Sequence, residues 1–121
     1  MKTILVAEDN PANLELLTEI LDGWGYHVVA AATGTEALTE LERMRPDLML
    51  VDIQMPELDG FGVLERVRQN PLFRDLPIVA LTAQAMRGDR EQALAKGFDS
   101  YVTKPIDREA LQKEVKRFCA E

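Results

Sequence analysis

The chain has 121 residues, enough for one domain that buries about two thirds of its unfolded surface. A net charge of −7 argues against wrapping nucleic acid or adhering to an anionic membrane. No apolar run approaches the roughly 20 residues of a membrane span. The start has no signal-peptide layout, and a lone Cys119 excludes an internal disulfide and fits a reducing, cytoplasmic setting.

Thr3 to Ala7 reads as a buried strand that ends in Glu8-Asp9. Asn10 is a good N-cap and Pro11 suits a first helical position. Leu14, Leu17, Ile20, Leu21 and Trp24 then recur at three- and four-residue spacing as one apolar face, with Gly25 as the stop. Val28 to Ala31 is a weaker second strand. Thr33-x-x-Glu36 has the form of a capping box, and Ala37, Leu38, Leu41 and Met44 make the inward stripe of a second helix that Pro46 ends. Leu48 to Val51 run apolar without a break into Asp52, which suggests a strand covered on both faces. Asp59 caps a third helix carried by Phe61, Leu64 and Val67 and closed before Pro71.

Ile78 to Leu81 is a fourth strand ending in Thr82. The next helix has no clear start around Gly88-Asp89 and ends at Lys96-Gly97; its apolar face, Ala93 and Leu94, is thin. Tyr101 to Thr103 is a short fifth strand ending in Lys104-Pro105. Asp107 caps the last helix, Ile106 and Leu111 have the spacing of a hydrophobic staple, and Leu111, Val115 and Phe118 bury that helix. Strands alternating with helices predict an α/β domain over residues 1–121, with a parallel sheet, right-handed crossovers and helices on both faces.

Four of the five predicted strands end in polar or charged residues: Glu8-Asp9, Asp52, Thr82 and Lys104. In a parallel sheet those ends lie on one edge, the edge where open α/β sheets place their chemistry. Three carboxylates gathered there raise each other's pKa unless a cation joins them. A hard divalent ion such as Mg²⁺ takes oxygen ligands from one or two carboxylates and a phosphate oxygen. A carboxylate is also a nucleophile that needs no base, being ionised at neutral pH. Asp52 is therefore the candidate acceptor of a phosphoryl group, with Lys104 as a fixed positive charge and the Thr82 hydroxyl as a donor to a phosphate oxygen.

Taken singly, each of these residues has a plainer explanation. Acidic residues at strand ends often cap helices or are simply solvated, Lys104 alone is a surface lysine, and Tyr101 is more often a half-buried packing aromatic. It is the convergent set that favours a site. His27, with no partner of catalytic type, reads as a surface residue, Cys119 and Met86 as packing or surface, and Trp24 as core.

The pieces Ile4-Leu5-Val6-Ala7-Glu8-Asp9-Asn10, Val51-Asp52-Ile53-Gln54-Met55-Pro56-x-x-Asp59-Gly60, Pro77-Ile78-Val79-Ala80-Leu81-Thr82-Ala83 and Lys104-Pro105 occur in this order over nearly the whole chain. In them the sequence resembles the receiver domains of two-component response regulators. The resemblance implies a flavodoxin-like, doubly wound sheet in the strand order 2-1-3-4-5 with five helices. It implies phosphorylation of Asp52, a direct Mg²⁺ contact from Asp9, a water-mediated one from Glu8, and a metal contact from the backbone carbonyl of Gln54. Thr82 and Lys104 would contact the phosphoryl group, Tyr101 would change rotamer on activation, and the Lys104-Pro105 bond would be cis. Position 8 is Glu where many members have Asp, and the side chains at 54 and 84 are both Gln.

The implied partners are a phosphohistidine kinase or histidine phosphotransfer protein and a downstream protein target, with no nucleic acid and no membrane. The donor would dock beside Asn10, Pro11, Asn13, Leu14 and Ile106, and the signal would leave through the fourth helix, fifth strand and fifth helix. Such a domain is no enzyme toward other molecules and catalyses only its own phosphorylation and dephosphorylation. An aspartate-nucleophile phosphatase would typically carry a second Asp where Gln54 stands. A flavin or nucleotide carrier would need an anion-cradling loop where Glu8-Asp9-Asn10-Pro11 stands. An adaptor that binds without phosphorylation has no use for the full set of acidic and basic strand ends.

Overall fold

The computed structural model describes residues 1–83 and 89–119. Five parallel strands, β1 (Thr3–Ala7), β2 (His27–Ala31), β3 (Leu48–Asp52), β4 (Ile78–Thr82) and β5 (Ser100–Thr103), form one sheet in the order β2-β1-β3-β4-β5. Between and after them run α1 (Pro11–Gly23), α2 (Gly34–Arg43), α3 (Gly60–Gln69), α4 (Asp89–Lys96) and α5 (Arg108–Cys119). The flavodoxin-like arrangement is thus present in full, with the expected strand order.

Every residue of β3 and β4 is buried, which is why their sequences run apolar rather than alternating. Side chains still alternate between two cores. Leu5, Met49, Val51, Ile78 and Ala80 face α2, α3 and α4, whereas Ile4, Val6, Leu48, Leu50 and Val79 face α1 and α5. The chain steps one way from β1 to β2 and the other way from β2 across β1 to β3. That reversal splits the helices between the two faces and opens a crevice at the carboxyl ends of β1 and β3.

The helix starts follow the caps. Asn10 Oδ1 accepts from the Asn13 N–H at 3.1 Å, Thr33 Oγ1 from Glu36 at 3.0 Å, Asp59 Oδ1 from Gly62 at 2.9 Å, and Asp107 Oδ1 from Glu109 at 2.9 Å. Glu36 reaches back to the Ala32 N–H at 2.6 Å rather than to that of Thr33, so the box closes one residue early. Gly25 takes the left-handed φ of 94° that ends α1.

Some expectations need correction. Trp24 is half-buried: it is the C-cap of α1 and packs against the edge of the core on the α1 and α5 face. Phe61 is half-buried too, edge-on to Phe98 at 5.8 Å, and Val63 joins the expected Leu64 and Val67 as the buried apolar residues of α3. Of the thin pair on α4, Ala93 is buried but Leu94 is 42% exposed. A one-turn 3₁₀ helix, Pro71–Phe73, was not expected; it seats Phe73 in the core. The expectations for Gln84 and Met86, and the start of the fourth helix before Asp89, fall on or border residues 84–88, outside the described residues.

Candidate functional site

The crevice gathers what the strand ends carry. One carboxylate oxygen from each of Glu8, Asp9 and Asp52 lies within 4.8 Å of the others. Glu8 is fully buried and Asp52 nearly so, while Asp9 is more open. Lys104 Nζ lies 3.0 Å from Asp52 Oδ2 and also contacts Glu8 Oε1. Its long stem is what lets a residue after β5 reach a carboxylate on β3 past the intervening β4. The Lys104–Pro105 peptide bond is cis, as the resemblance implied.

Backbone groups hold the acids in place. The Asn10 N–H donates to Glu8 Oε2 at 3.1 Å, and the Gln54 N–H donates to Asp52 Oδ1 at 3.1 Å. Gly60 closes the loop after β3, its N–H donating to the Ile53 carbonyl at 2.9 Å. A Cβ there would fall 2.6 Å from Ile53 Cα and 2.7 Å from the Asp52 carbonyl oxygen, and backbone cannot yield as a flexible side chain can. Asp59-Gly60 therefore does two things: Asp59 caps α3, and Gly60 lets the loop lie against the end of β3.

One ammonium among three carboxylates leaves a surplus of negative charge. Burial pushes the Asp52 carboxyl up, and the neighbouring Glu8 adds to it against the pull of Lys104, so its pKa rises to about 7. Burial also presses Glu8 upward, but its bonds with Asp52, Lys104 and the Asn10 N–H outweigh that and hold it low. Burial lowers Lys104, yet the two acids win and keep it firmly charged. Asp52 is thus the carboxylate that retains a proton when no further cation is present. An all-oxygen donor set with unbalanced charge suits a hard divalent cation.

Thr82 ends β4 and is buried; its carbonyl accepts from the Lys104 N–H at 2.8 Å, which joins the ends of β4 and β5. Tyr101 is half-buried on β5, and the Arg90 guanidinium of α4 lies over its ring at 4.9 Å. Sequence reasoning missed Arg90, the Asn10 N–H that fixes Glu8, and the close approach of Gly60. Of these, only the Asp-Gly pair left a signal in the sequence.

The profile of the response regulator receiver domain matches residues 4–116. The polar-differentiation response regulator DivK of Brucella anthropi is 33% identical over 120 residues, covering 99% of this chain and 98% of DivK. The signal transduction histidine-protein kinase BarA of Escherichia coli is 38% identical over 116 residues, 96% of this chain but only 13% of that kinase. The receiver domain of a sensor histidine kinase of Pseudomonas aeruginosa superposes with a TM-score of 0.90 at 38% identity, covering 99% of this chain and 98% of that one, and its structure holds a magnesium ion in the active-site cleft. With an acidic crevice at the sheet's switch point, a lysine across it, and such likeness over nearly every residue, the chain belongs to the response regulator receiver domain family of two-component signalling.

Proposed function

We propose that this protein is a phosphoacceptor switch whose acceptor is Asp52. What carries the reading is the crowding of Glu8, Asp9 and Asp52 around a single ammonium, Lys104. An oxygen of the Asp52 carboxylate attacks the phosphorus of a phosphohistidine on a kinase or phosphotransfer protein. The P–N bond breaks, its electron pair returns to the imidazole, and an acyl phosphate remains on Asp52. Lys104, 3.0 Å away, offsets charge on the transferring group, and the Thr82 hydroxyl donates to one of its oxygens. Asp9, Asp52 and the Gln54 carbonyl would hold Mg²⁺ directly. Glu8, already engaged by Lys104 and the Asn10 N–H, would act on it through water. When bound, the ion supplies the positive charge that keeps Asp52 ionised and neutralises phosphoryl oxygens.

The acyl phosphate adds charge and acceptor oxygens at the end of β3. Thr82 moves toward them and vacates space into which Tyr101 swings, so the surface of α4, β5 and α5 changes and partner binding changes with it.

Incubation with Mg²⁺ and acetyl phosphate, read by intact mass, is expected to add one phosphoryl group that hydroxylamine removes and EDTA prevents. Uptake that ignores EDTA, or an adduct mapped to another residue, would refute the proposal. Release of many equivalents of phosphate from a phosphoester would favour the phosphatase alternative.

Metal affinity should depend on pH in a set direction. Because Asp52 titrates at about 7, Mg²⁺ must displace its proton in more acidic solution. The association constant from titration calorimetry is expected to fall about tenfold per pH unit below about pH 7 and to level off above it. A flat profile between about pH 5 and pH 8 would show that the Asp52 carboxyl is already ionised throughout that range.

A further inference from the structure

The loop from Ile53 to Asp59 joins β3 to α3 and carries Gln54 beside Asp52. Backbone bonds fasten its ends: the Ile53 N–H donates to the Leu81 carbonyl at 3.0 Å, and the Ile53 carbonyl accepts from the Gly60 N–H. Between those ends Gln54, Pro56, Glu57 and Asp59 are exposed, while Met55 is buried and Leu58 half-buried against the core under α2 and α3. Glu57 stands between these two apolar anchors and takes a left-handed φ of 65°. A residue with a side chain holds that conformation only where its surroundings impose it. Two glycines shape the surroundings of Leu58. A Cβ on Gly34, at the start of α2, would fall 2.7 Å from the Leu58 carbonyl oxygen and 3.2 Å from Leu58 Cβ. A Cβ on Gly62, in the first turn of α3, would fall 2.5 Å from Leu58 Cδ1. Two helices thus give up their side chains at the points where Leu58 meets them.

We propose that Leu58 is a positioning residue of the site: wedged between Gly34 and Gly62, it fixes the place of Gln54 beside Asp52 and so sets the affinity and selectivity of the site for Mg²⁺. The link runs through the loop's backbone. The Gln54 N–H donates to Asp52 Oδ1 at 3.1 Å, so a shift of Gln54 also releases the acceptor carboxylate. Leu58 itself touches neither ion nor phosphoryl group; it acts through Gln54 and Asp52. A branched aliphatic side chain suits the task, because it packs between two helices with no polar atom to satisfy. The site thereby draws rigidity from α2, which supplies none of its proposed ligands. Mg²⁺ demands near-ideal octahedral geometry, whereas Ca²⁺ tolerates irregular shells, so a loosened loop penalises the smaller ion more. The effect on Mg²⁺ rests on the metal reading above, whereas the seating of Gln54 by Leu58 does not.

Calorimetric titration of the full chain with Mg²⁺ and with Ca²⁺, together with hydrogen exchange at the Gln54 amide in EDTA, tests the assignment. Gly62→Ala expels Leu58 Cδ1 and leaves every site residue in the sequence. It and Leu58→Ala are each expected to lower Mg²⁺ affinity about tenfold, to lower Ca²⁺ affinity less, and to speed exchange at Gln54. Leu58→Met, close in volume, should stay near wild type. The double variant G62A/L58A should bind as L58A does, because the atoms that the new Cβ displaces are then gone. Val115→Ala, in the core on the other face of the sheet, is expected to lose stability in urea and keep its Mg²⁺ affinity, since binding to a fully folded chain does not report global stability. Equal losses for Mg²⁺ and Ca²⁺, a full further loss from G62A on top of L58A, or an equal loss in Val115→Ala would overturn the proposal. If the wild type binds Mg²⁺ and G62A and L58A bind it equally well, the positioning role falls and the metal reading stands. If the wild type binds no Mg²⁺, the metal reading falls; faster exchange at Gln54 in G62A then still upholds the seating role, and unchanged exchange overturns it.

Discussion

Asp52→Asn is expected to abolish phosphoryl uptake and, at the same time, to stabilise the metal-free protein. The first effect follows from the loss of the nucleophile: an amide oxygen cannot form the acyl phosphate. The second follows from crowding. Burial and Glu8 hold the folded-state pKa of Asp52 at about 7, against 3.8 for the ordinary group. The native state therefore binds this proton more tightly than the unfolded chain does. Its contribution is favourable in acid and is lost as pH rises from about 4 through about 7. Three pKa units, in which the pull of Lys104 is already counted, correspond to about 4 kcal/mol as an upper limit, and relaxation and hydration of the charged site reduce the expected gain to about 1–2 kcal/mol at pH 8. Glu8 acts in the opposite sense: its pKa is held below 4.5, so its contribution is present above that value and lost below it. The two dependences make the advantage of the Asn variant largest in alkaline solution. Urea unfolding in EDTA at about pH 5 and about pH 8 measures it. A variant less stable than wild type at the higher pH would contradict the charge crowding described here. Added Mg²⁺ is expected to raise the stability of the wild type and to do little for the variant.

Arg68→Ala carries the largest expected loss of stability away from the site. Arg68 Nη1 donates to the carbonyls of Phe73 at 3.0 Å, Arg74 at 3.2 Å and Leu76 at 2.7 Å, and Nη2 meets Asp99 Oδ2 at 3.0 Å. One guanidinium thus ties the end of α3 to the 3₁₀ turn, to the approach to β4 and to the start of β5. Both partners of the ion pair are partly exposed, at 25% and 38%, so solvent screens the charge attraction and the carbonyl bonds carry most of the effect. Removing the guanidinium takes one donor from each of three carbonyls and a carboxylate, although Phe73 keeps the Leu76 N–H and Asp99 the Ile78 N–H, for an expected loss of about 2–3 kcal/mol and a fall in melting temperature of roughly 10 °C. Arg68→Lys should recover only part of it, since one ammonium cannot reproduce the planar fork. Well below the melting temperature, phosphoryl uptake should survive, because the clamp lies at the opposite edge of the sheet from Asp52. A loss under about 0.5 kcal/mol would show that water replaces these bonds at little cost.

Much of the architecture was legible along the chain. Asn10, Thr33, Asp59 and Asp107 all cap helices in the structure, because a cap is a contact among residues within one turn. The unbroken apolar runs of β3 and β4 marked strands covered on both faces, and the alternation of strands with helices implied that the polar strand ends would share one edge. The motifs around Glu8-Asp9, Asp52, Thr82 and Lys104 then pointed to one family.

Other features were settled by folding alone. Local spacing did not place Trp24 half out of the core, turn Leu94 to solvent, or seat Phe73 through a 3₁₀ turn. Nor did it pair Arg68 with a carboxylate 31 positions away, lay Arg90 over Tyr101, or leave the proton with Asp52 rather than Glu8. The reason is the range of the forces. Periodicity and capping act between residues a few positions apart, so they are written in the order of the chain. The charge on a buried acid and the partner of a long cation depend on which strands become neighbours, and that is decided only when the sheet assembles.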